Sequence, residues 1–130
     1  MSYTLTTSLK QPIGDAIETL KNTLMNHKLG IVSEVNVQAT IKNKLGEDIA
    51  PYRILGACNP GMAKKIIDAA PEAGALLPCT IVAREEDGAT IFHFMSPEVV
   101  LELENNTVVQ DVAKQATEHL EAVITDLESI

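Results

Sequence analysis

Aromatic side chains are scarce in this chain of 130 residues: they make up 3% of it, and tryptophan is absent. Hydrophobic residues nevertheless account for 45% of the chain, so the core has to be mainly aliphatic. The same scarcity removes the aromatic platforms on which proteins stack single-stranded bases. We therefore expect an ordinary aliphatic core and no binding of single-stranded nucleic acid.

Basic residues, cysteines and long apolar runs are also few. Ten Lys and Arg residues stand against 18 Asp and Glu residues, giving a net charge of -8. Because nucleic acids and anionic membranes attract basic surfaces, neither is expected as a partner. Two cysteines do not make a disulfide scaffold. The N-terminus has no signal-peptide pattern, and no apolar run spans a membrane. We predict one soluble cytoplasmic domain over residues 1–130.

Apolar periodicity and turn residues predict nine elements. Strands are expected over residues 3–8, 31–37, 52–58, 79–85 and 89–95. Helices are expected from Pro12 to just before Gly30, over 38–45, over 60–70 and from Thr107 to the C-terminus. Asp87-Gly88 predicts an antiparallel hairpin between the last two strands. Thr107 and Gln110 fit a capping box for the last helix.

This order of elements predicts an α+β fold, with a mixed, mainly antiparallel five-stranded sheet and helices packed on one face. The other face then needs water or a partner, which predicts a homodimer. By strand alternation, we expect that uncovered face to carry Arg53, Leu55, Ala57, Thr80, Val82 and Arg84.

The segment around the two cysteines contains the clearest local signals. Cys58 ends a predicted strand and precedes Asn59-Pro60-Gly61, in which Asn59 is a favoured N-cap and Pro60 a favoured first helical residue. Cys79 opens the next strand. If those strands are neighbours, the two sulfurs lie across one end of the sheet. The partial positive charge of the helix start would then lower the pKa of Cys58.

Two stretches carry a resemblance to a known family. Residues 52–60 read Tyr-Arg-Ile-Leu-Gly-Ala-Cys-Asn-Pro, and residues 76–79 read Leu-Leu-Pro-Cys. This pattern resembles the bacterial and archaeal family called domain of unknown function 302, and the likeness extends more loosely over nearly the whole chain. The resemblance implies a five-stranded sheet of the TATA-binding-protein-like kind. It implies no activity, so whether the chain is an enzyme stays undecided.

Three functional hypotheses follow. The first is a small binding or interaction module that forms a homodimer. The second is a thiol function of Cys58 and Cys79 in sulfur transfer, redox sensing or soft-metal binding; the alternative is that both are buried packing residues. The third is a small anionic ligand held at the helix start by Asn59, Gly61 and Lys64, against a plain N-cap. A plain N-cap predicts that Asn59→Asp is nearly neutral.

No cofactor is expected from the sequence, because neither the dinucleotide-binding nor the phosphate-binding glycine pattern occurs. No metal is expected from the histidines, since His27, His93 and His119 do not share a metal-ligand spacing.

Overall fold

The computed structural model describes residues 2–130 and contains five strands and five α-helices. The strands are β1 (Thr4–Leu9), β2 (Gly30–Asn36), β3 (Tyr52–Cys58), β4 (Cys79–Glu86) and β5 (Ala89–Met95). The helices are α1 (Ile13–Asn26), α2 (Val37–Leu45), α3 (Pro60–Ala69), α4 (Pro97–Val100) and α5 (Thr107–Glu128). Short 3₁₀ turns follow α3 at Pro71–Leu76 and α4 at Leu101–Leu103. Within these residues, no helix is long and apolar enough to cross a membrane.

The strands form one sheet in the order β1-β5-β4-β3-β2, and every neighbouring pair is antiparallel. The predicted α+β class with a mainly antiparallel sheet is confirmed, and the sheet is antiparallel throughout. Asp87 and Gly88 join β4 to β5 with backbone φ angles of 52° and 79°. These left-handed conformations match the right-handed twist of a two-residue hairpin, as the Asp-Gly pair predicts.

Helices α1 and α5 pack on one face of the sheet and enclose the main hydrophobic core. Phe92 and Phe94, the two phenylalanines of the chain, are fully buried at its centre. A second apolar cluster lies where α3, the 3₁₀ turns and the first half of α5 meet, and it includes Ile66, Leu101 and Val112.

The predicted composition of the uncovered face is wrong. Leu55 and Ala57 are 0% and 1% exposed, and both belong to the main core beneath the helices. The register pairs Ile54 with Val82 and Leu55 with Ile81, so Val82 shares a face with Ile54 and not with Leu55. Directly opposite residues of two strands project to the same side of a sheet. Thr80, Val82 and Arg84 therefore lie on one face, while Arg53, Leu55 and Ala57 lie on the other.

Helix α5 begins at Thr107 as predicted, but its capping residue differs from the prediction. Asn106, not Thr107, is the N-cap, and its Oδ1 accepts hydrogen bonds from the backbone N–H groups of Val108 and Val109 at 2.9 and 3.2 Å. Asn and Thr are both good caps, so local preference does not decide between neighbouring positions. The cap of α2 is as predicted, with Gly46 at φ 68°.

Candidate functional site

Cys58 and Cys79 lie at one end of the sheet, where β3 ends and the adjacent antiparallel strand β4 begins. In the register, Cys79 is the direct partner of Ala57, which precedes Cys58. Residues that are 21 positions apart in sequence are thus diagonal neighbours across two strands. Both are free thiols and partly buried. The register therefore places both residues at one end of the sheet, with Cys79 on the face of Ala57 and Cys58, one residue further along β3, on the opposite face.

Both cysteines line a cavity of about 40 Å³. We call this the thiol cavity; its wall includes Met62, Ile66, Leu101 and Val112. These apolar residues belong to or pack against the second hydrophobic cluster, so the cavity lies where that cluster meets the end of the sheet. Its size suits one or two small atoms and not a drug-sized ligand.

Burial determines the ionisation of the two thiols. Burial raises the pKa of Cys58 above its usual value. Burial, together with the neighbouring Cys58, raises the pKa of Cys79 from 9.0 to about 11. The expected lowering of the Cys58 pKa by the helix start is therefore wrong in direction. Removal of a thiolate from water outweighs the partial charge of the α3 start, because desolvation acts on the full charge. At neutral pH both cysteines are protonated.

Asn59 is the N-cap of α3, as predicted, and its amide makes two contacts. Its Oδ1 accepts from the backbone N–H of Met62 at 3.1 Å, and its Nδ2 donates to the backbone carbonyl of Lys28 at 3.0 Å. The Lys28 backbone is left-handed, with φ 60°. Asn59 thus fixes the start of α3 to the turn that leads into β2. The sequence indicates the first contact and not the second.

The other two residues of the predicted anion site are Lys64, whose side chain is paired, and Gly61, which lies close to the cap. Lys64 Nζ pairs with Asp68 Oδ2 at 2.6 Å, one turn further along α3. A side chain at Gly61 would lie 3.3 Å from Asn59 Oδ1, which explains a small residue beside the cap. The anion site stays a prediction.

Met62 is the residue at this site that sequence reasoning missed. It follows Cys58 by four positions and lines the same cavity. The spacing Cys-x-x-x-Met across a strand end and the first helical turn is the signal that points to it. Sequence reasoning misses it because a methionine among aliphatic residues is normally interpreted as a core residue, whose unbranched side chain fills irregular gaps.

The histidines lie apart from the thiol cavity. His27 Nε2 is 2.6 Å from Asp126 Oδ2, and His119 Nδ1 is 3.0 Å from the backbone carbonyl of His27. Among residues 2–130 there is no group of three or more His, Cys, Asp or Glu side chains arranged for a metal ion.

The face of the sheet opposite α1 and α5 is a second candidate surface, which we call the open face. By register its members are Thr4, Thr6, Ser8, Gly30, Ser33, Val35, Tyr52, Ile54, Gly56, Cys58, Thr80, Val82, Arg84, Glu86, Ala89, Ile91, His93 and Met95. Val35, Ile54 and Val82 form a continuous apolar row over three strands. Val35 is 49% exposed and Ile54 is 37% exposed.

A row of hydrogen-bonded polar side chains crosses the other half of the open face. Arg84 Nε donates to His93 Nε2 at 3.0 Å, and Arg84 Nη1 donates to Glu86 Oε2 at 2.8 Å. Because arginine only donates, the neutral His93 ring carries its proton on Nδ1, which lies 2.9 Å from Thr6 Oγ1. Burial and the Arg84 charge lower the pKa of His93. At neutral pH the open face therefore carries one positive and one negative charge, which form an ion pair.

An antiparallel five-stranded sheet with two helices over one face defines the class of this protein as an α+β domain. The model of the family "Domain of unknown function DUF302" matches residues 4–127, and the chain belongs to that family.

A solved structure has the same fold. The crystal structure of uncharacterized conserved protein DUF302 from Bacillus stearothermophilus superposes with a TM-score of 0.87 at 24% sequence identity. The match covers 96% of this chain and 98% of that one. At this identity the likeness shows the fold alone. A comparison with curated proteins finds no match.

Proposed function

We propose that this chain is a homodimeric binding or interaction module, and that two copies associate through the open face. The observation that carries the proposal is the apolar row of Val35, Ile54 and Val82 on the sheet surface opposite the helices. Contiguous apolar residues on a surface mark interaction sites more often than single exposed ones do. Antiparallel sheets bury a second apolar face when they pack against another layer.

Charge favours a second copy as the occupant. Each chain carries a net charge of -8, so most surfaces of two copies repel one another. The open face has no net charge, because Arg84 is paired with Glu86 and His93 is neutral at pH 7. Two copies can therefore approach through this face without like-charge contact.

The size of the open face is adequate for a dimer. Five strands spaced about 4.8 Å apart, with six residues at about 3.4 Å each, cover roughly 500 Å². Burying this area on both copies removes about 1,000 Å² from water, which reaches the lower limit for a specific interface.

Ile54→Glu is expected to weaken the dimer by at least about 10-fold, because it places a carboxylate from each copy at the interface. Wild-type protein at micromolar concentration should sediment at about twice the chain mass of 14.0 kDa. The variant should move toward monomer in the same sedimentation equilibrium experiment.

The matched control is Ile67→Glu on α3. Ile67 is 45% exposed, close to the 37% of Ile54, but it does not belong to the open face. The control should remain dimeric. A wild-type protein that sediments as a monomer contradicts the dimer, and equal effects of the two variants contradict the open face as its interface.

A second candidate is a thiol function of Cys58 and Cys79, favoured by their shared cavity. What supports this candidate is that the wall of one cavity of about 40 Å³ includes both residues. This candidate assumes the reducing conditions of a cytoplasm, where free thiols persist.

Alkylation should be slow and strongly pH-dependent. A pKa of about 11 for Cys79 instead of 9.0 leaves roughly 100-fold less thiolate at neutral pH. With the alkylation of each cysteine followed separately by peptide mass mapping in the wild type, the iodoacetamide rate of Cys79 should therefore be about 100-fold below that of an unfolded control and should rise until about pH 11. A rate equal to the unfolded control would contradict burial of Cys79.

A trivalent arsenical tests whether the two thiols act together. Phenylarsine oxide forms two As–S bonds and releases one water, and it binds firmly only where two thiols lie close together. One equivalent should protect both cysteines of the wild type from alkylation at high pH. Failure to protect them, or equal binding by either single-cysteine variant, contradicts the thiol candidate.

A further inference from the structure

Strand β1 lies at one end of the strand order, so one of its backbone edges faces β5 and the other faces away from the sheet. The backbone N–H of Ser96 donates to the carbonyl of Tyr3 at 2.8 Å, and this pair extends the register of β1 with β5 by one position. Hydrogen-bonded positions alternate along an antiparallel pair, and the residues between them direct their N–H and carbonyl groups away from the partner strand. The outward set in β1 is therefore Thr4, Thr6 and Ser8.

The hydrogen bonds of Thr4 agree with this assignment. Its backbone N–H donates to the hydroxyl of Ser2 at 3.2 Å, and its carbonyl accepts from the same hydroxyl at 3.0 Å. No hydrogen bond within residues 2–130 covers the outward N–H and carbonyl groups of Thr6 and Ser8 in this way. β1 also has none of the lysines, prolines or bulges that protect sheet edges, whereas β2 at the opposite edge has a bulge. The edge of β1 is therefore open to another strand.

A groove runs along β1 on the side of α5, and we call it the edge groove. It consists of three depressions of about 630, 290 and 380 Å³. Leu5 and Glu121 line the first two, and Leu9 and Glu128 line the third. Thr7 Oγ1 donates to Glu128 Oε2 at 3.2 Å, which holds the end of α5 beside β1. A strand added to β1 would thus find backbone groups to bond and hollows for its side chains.

Unpaired charges in the edge groove indicate what kind of chain fits it. The groove is lined by more carboxylates than ammonium groups, and none of these side chains forms an ion pair within residues 2–130. They are Glu98, Glu102, Glu121, Glu128, Lys10 and Lys114. Complementary charge selects partners at a protein surface. The excess of unpaired carboxylates therefore favours a basic segment.

A second copy of this chain suits the edge less well. A two-fold contact between the β1 strands of two copies would be antiparallel and would place both α5 helices on the same side of the joined sheet. The carboxylates of Glu121 and Glu128 would then face those of the other copy, in two chains that each carry a net charge of -8.

We propose that the edge groove binds an extended basic segment of a partner protein, which joins the sheet as an additional strand beside β1. Backbone hydrogen bonds to Thr6 and Ser8 hold the segment. Its alternate side chains enter the groove, where lysine or arginine pairs with the carboxylates. The site lies at the sheet edge and does not depend on the dimer through the open face.

The probe is a short fluorescein-labelled peptide of alternating valine and lysine, with both ends capped, and fluorescence anisotropy at low salt measures its binding to the full-length chain. We expect saturable binding of one peptide per chain. A matched peptide of alternating valine and glutamate should bind at least about 10-fold more weakly, because its carboxylates meet those of the groove.

Two variants test the two parts of the contact. Ser8→Pro removes an outward N–H that makes no bond to β5, and proline is tolerated on edge strands, so thermal unfolding should show a folded protein. Loss of that donor should weaken peptide binding about 10-fold. Glu121→Lys tests the charge without a backbone change and should weaken binding at least about 10-fold. Its matched control is Glu118→Lys, which makes the same change of charge at an exposed position of α5 outside the groove.

Four outcomes overturn the proposal. They are equal binding of the lysine and glutamate peptides, equal binding by Glu121→Lys and Glu118→Lys, wild-type affinity in a folded Ser8→Pro variant, and loss of self-association in Ser8→Pro. The last outcome, measured by sedimentation equilibrium, would assign the edge of β1 to a second copy of the chain.

Discussion

Gly56→Val is expected to destabilise the protein by about 3 kcal/mol, at the upper end of the usual effect of overpacking. A Cβ atom at Gly56 would lie 2.3 Å from Ser33 Oγ and 2.6 Å from Pro78 Cγ. Ser33 can rotate away, but the ring of Pro78 is fixed to the backbone that leads into Cys79. The midpoint of thermal unfolding, followed by circular dichroism, should fall by roughly 10 °C.

Gly30→Val provides the matched control in β2. Gly30 is also a strand glycine, and a Cβ atom there meets nothing within 4 Å. Valine favours strands, so we expect a change within about 0.5 kcal/mol. Displacement of Pro78 should also open the thiol cavity, so Cys79 should be alkylated faster in Gly56→Val than in Gly30→Val. Equal stability of the two variants would contradict the close approach of Pro78 to β3.

Asn59→Ala is expected to destabilise the protein by about 2 kcal/mol. The change removes the acceptor for the Met62 N–H, which typically contributes about 1 kcal/mol at a helix start. It also leaves the Lys28 carbonyl without the Nδ2 donor, at a similar energy. Urea unfolding measures the total.

Asn59→Asp separates the two contacts. Its carboxylate still accepts from Met62 but cannot donate to Lys28, so we expect a loss of about 1 kcal/mol and not the neutral outcome that the cap alone predicts. An Asp variant as stable as wild type would contradict the contact with Lys28. Phosphate added to the wild type tests the predicted anion site: a rise in the unfolding midpoint that Asn59→Asp lacks would support it, and no rise would contradict it.

Local sequence determined most of the elements. The limits of β3 and β5 are as predicted, because both strands end at turn residues whose backbone preferences act within a few positions. The hairpin at Asp87-Gly88 and the cap at Asn59 are confirmed for the same reason. A cap contacts the chain three residues ahead, so sequence spacing suffices to find it.

The sequence did not determine which side of β3 is buried. Alternation separates Ile54 from Leu55, but both are large and aliphatic, so neither set is marked as the core. The register with β4 and the position of α1 and α5 bury Leu55 and expose Ile54. The open face therefore follows from tertiary packing.

The sequence predicted where the two cysteines lie in their strands, but not what surrounds them in the fold. Sequence patterns indicate a cysteine at a strand end and another at a strand start, but only the antiparallel pairing of β3 with β4 places both at the same end of the sheet, with Cys79 opposite Ala57. Met62 lines the same cavity as both cysteines, which sequence spacing alone does not reveal. The helix start that follows Cys58 in the sequence predicts a lowered pKa for this thiol. In the folded protein, burial raises its pKa instead. Local sequence specifies the ends of the elements, whereas their packing determines the neighbours and the exclusion of water, on which the chemistry of these thiols depends.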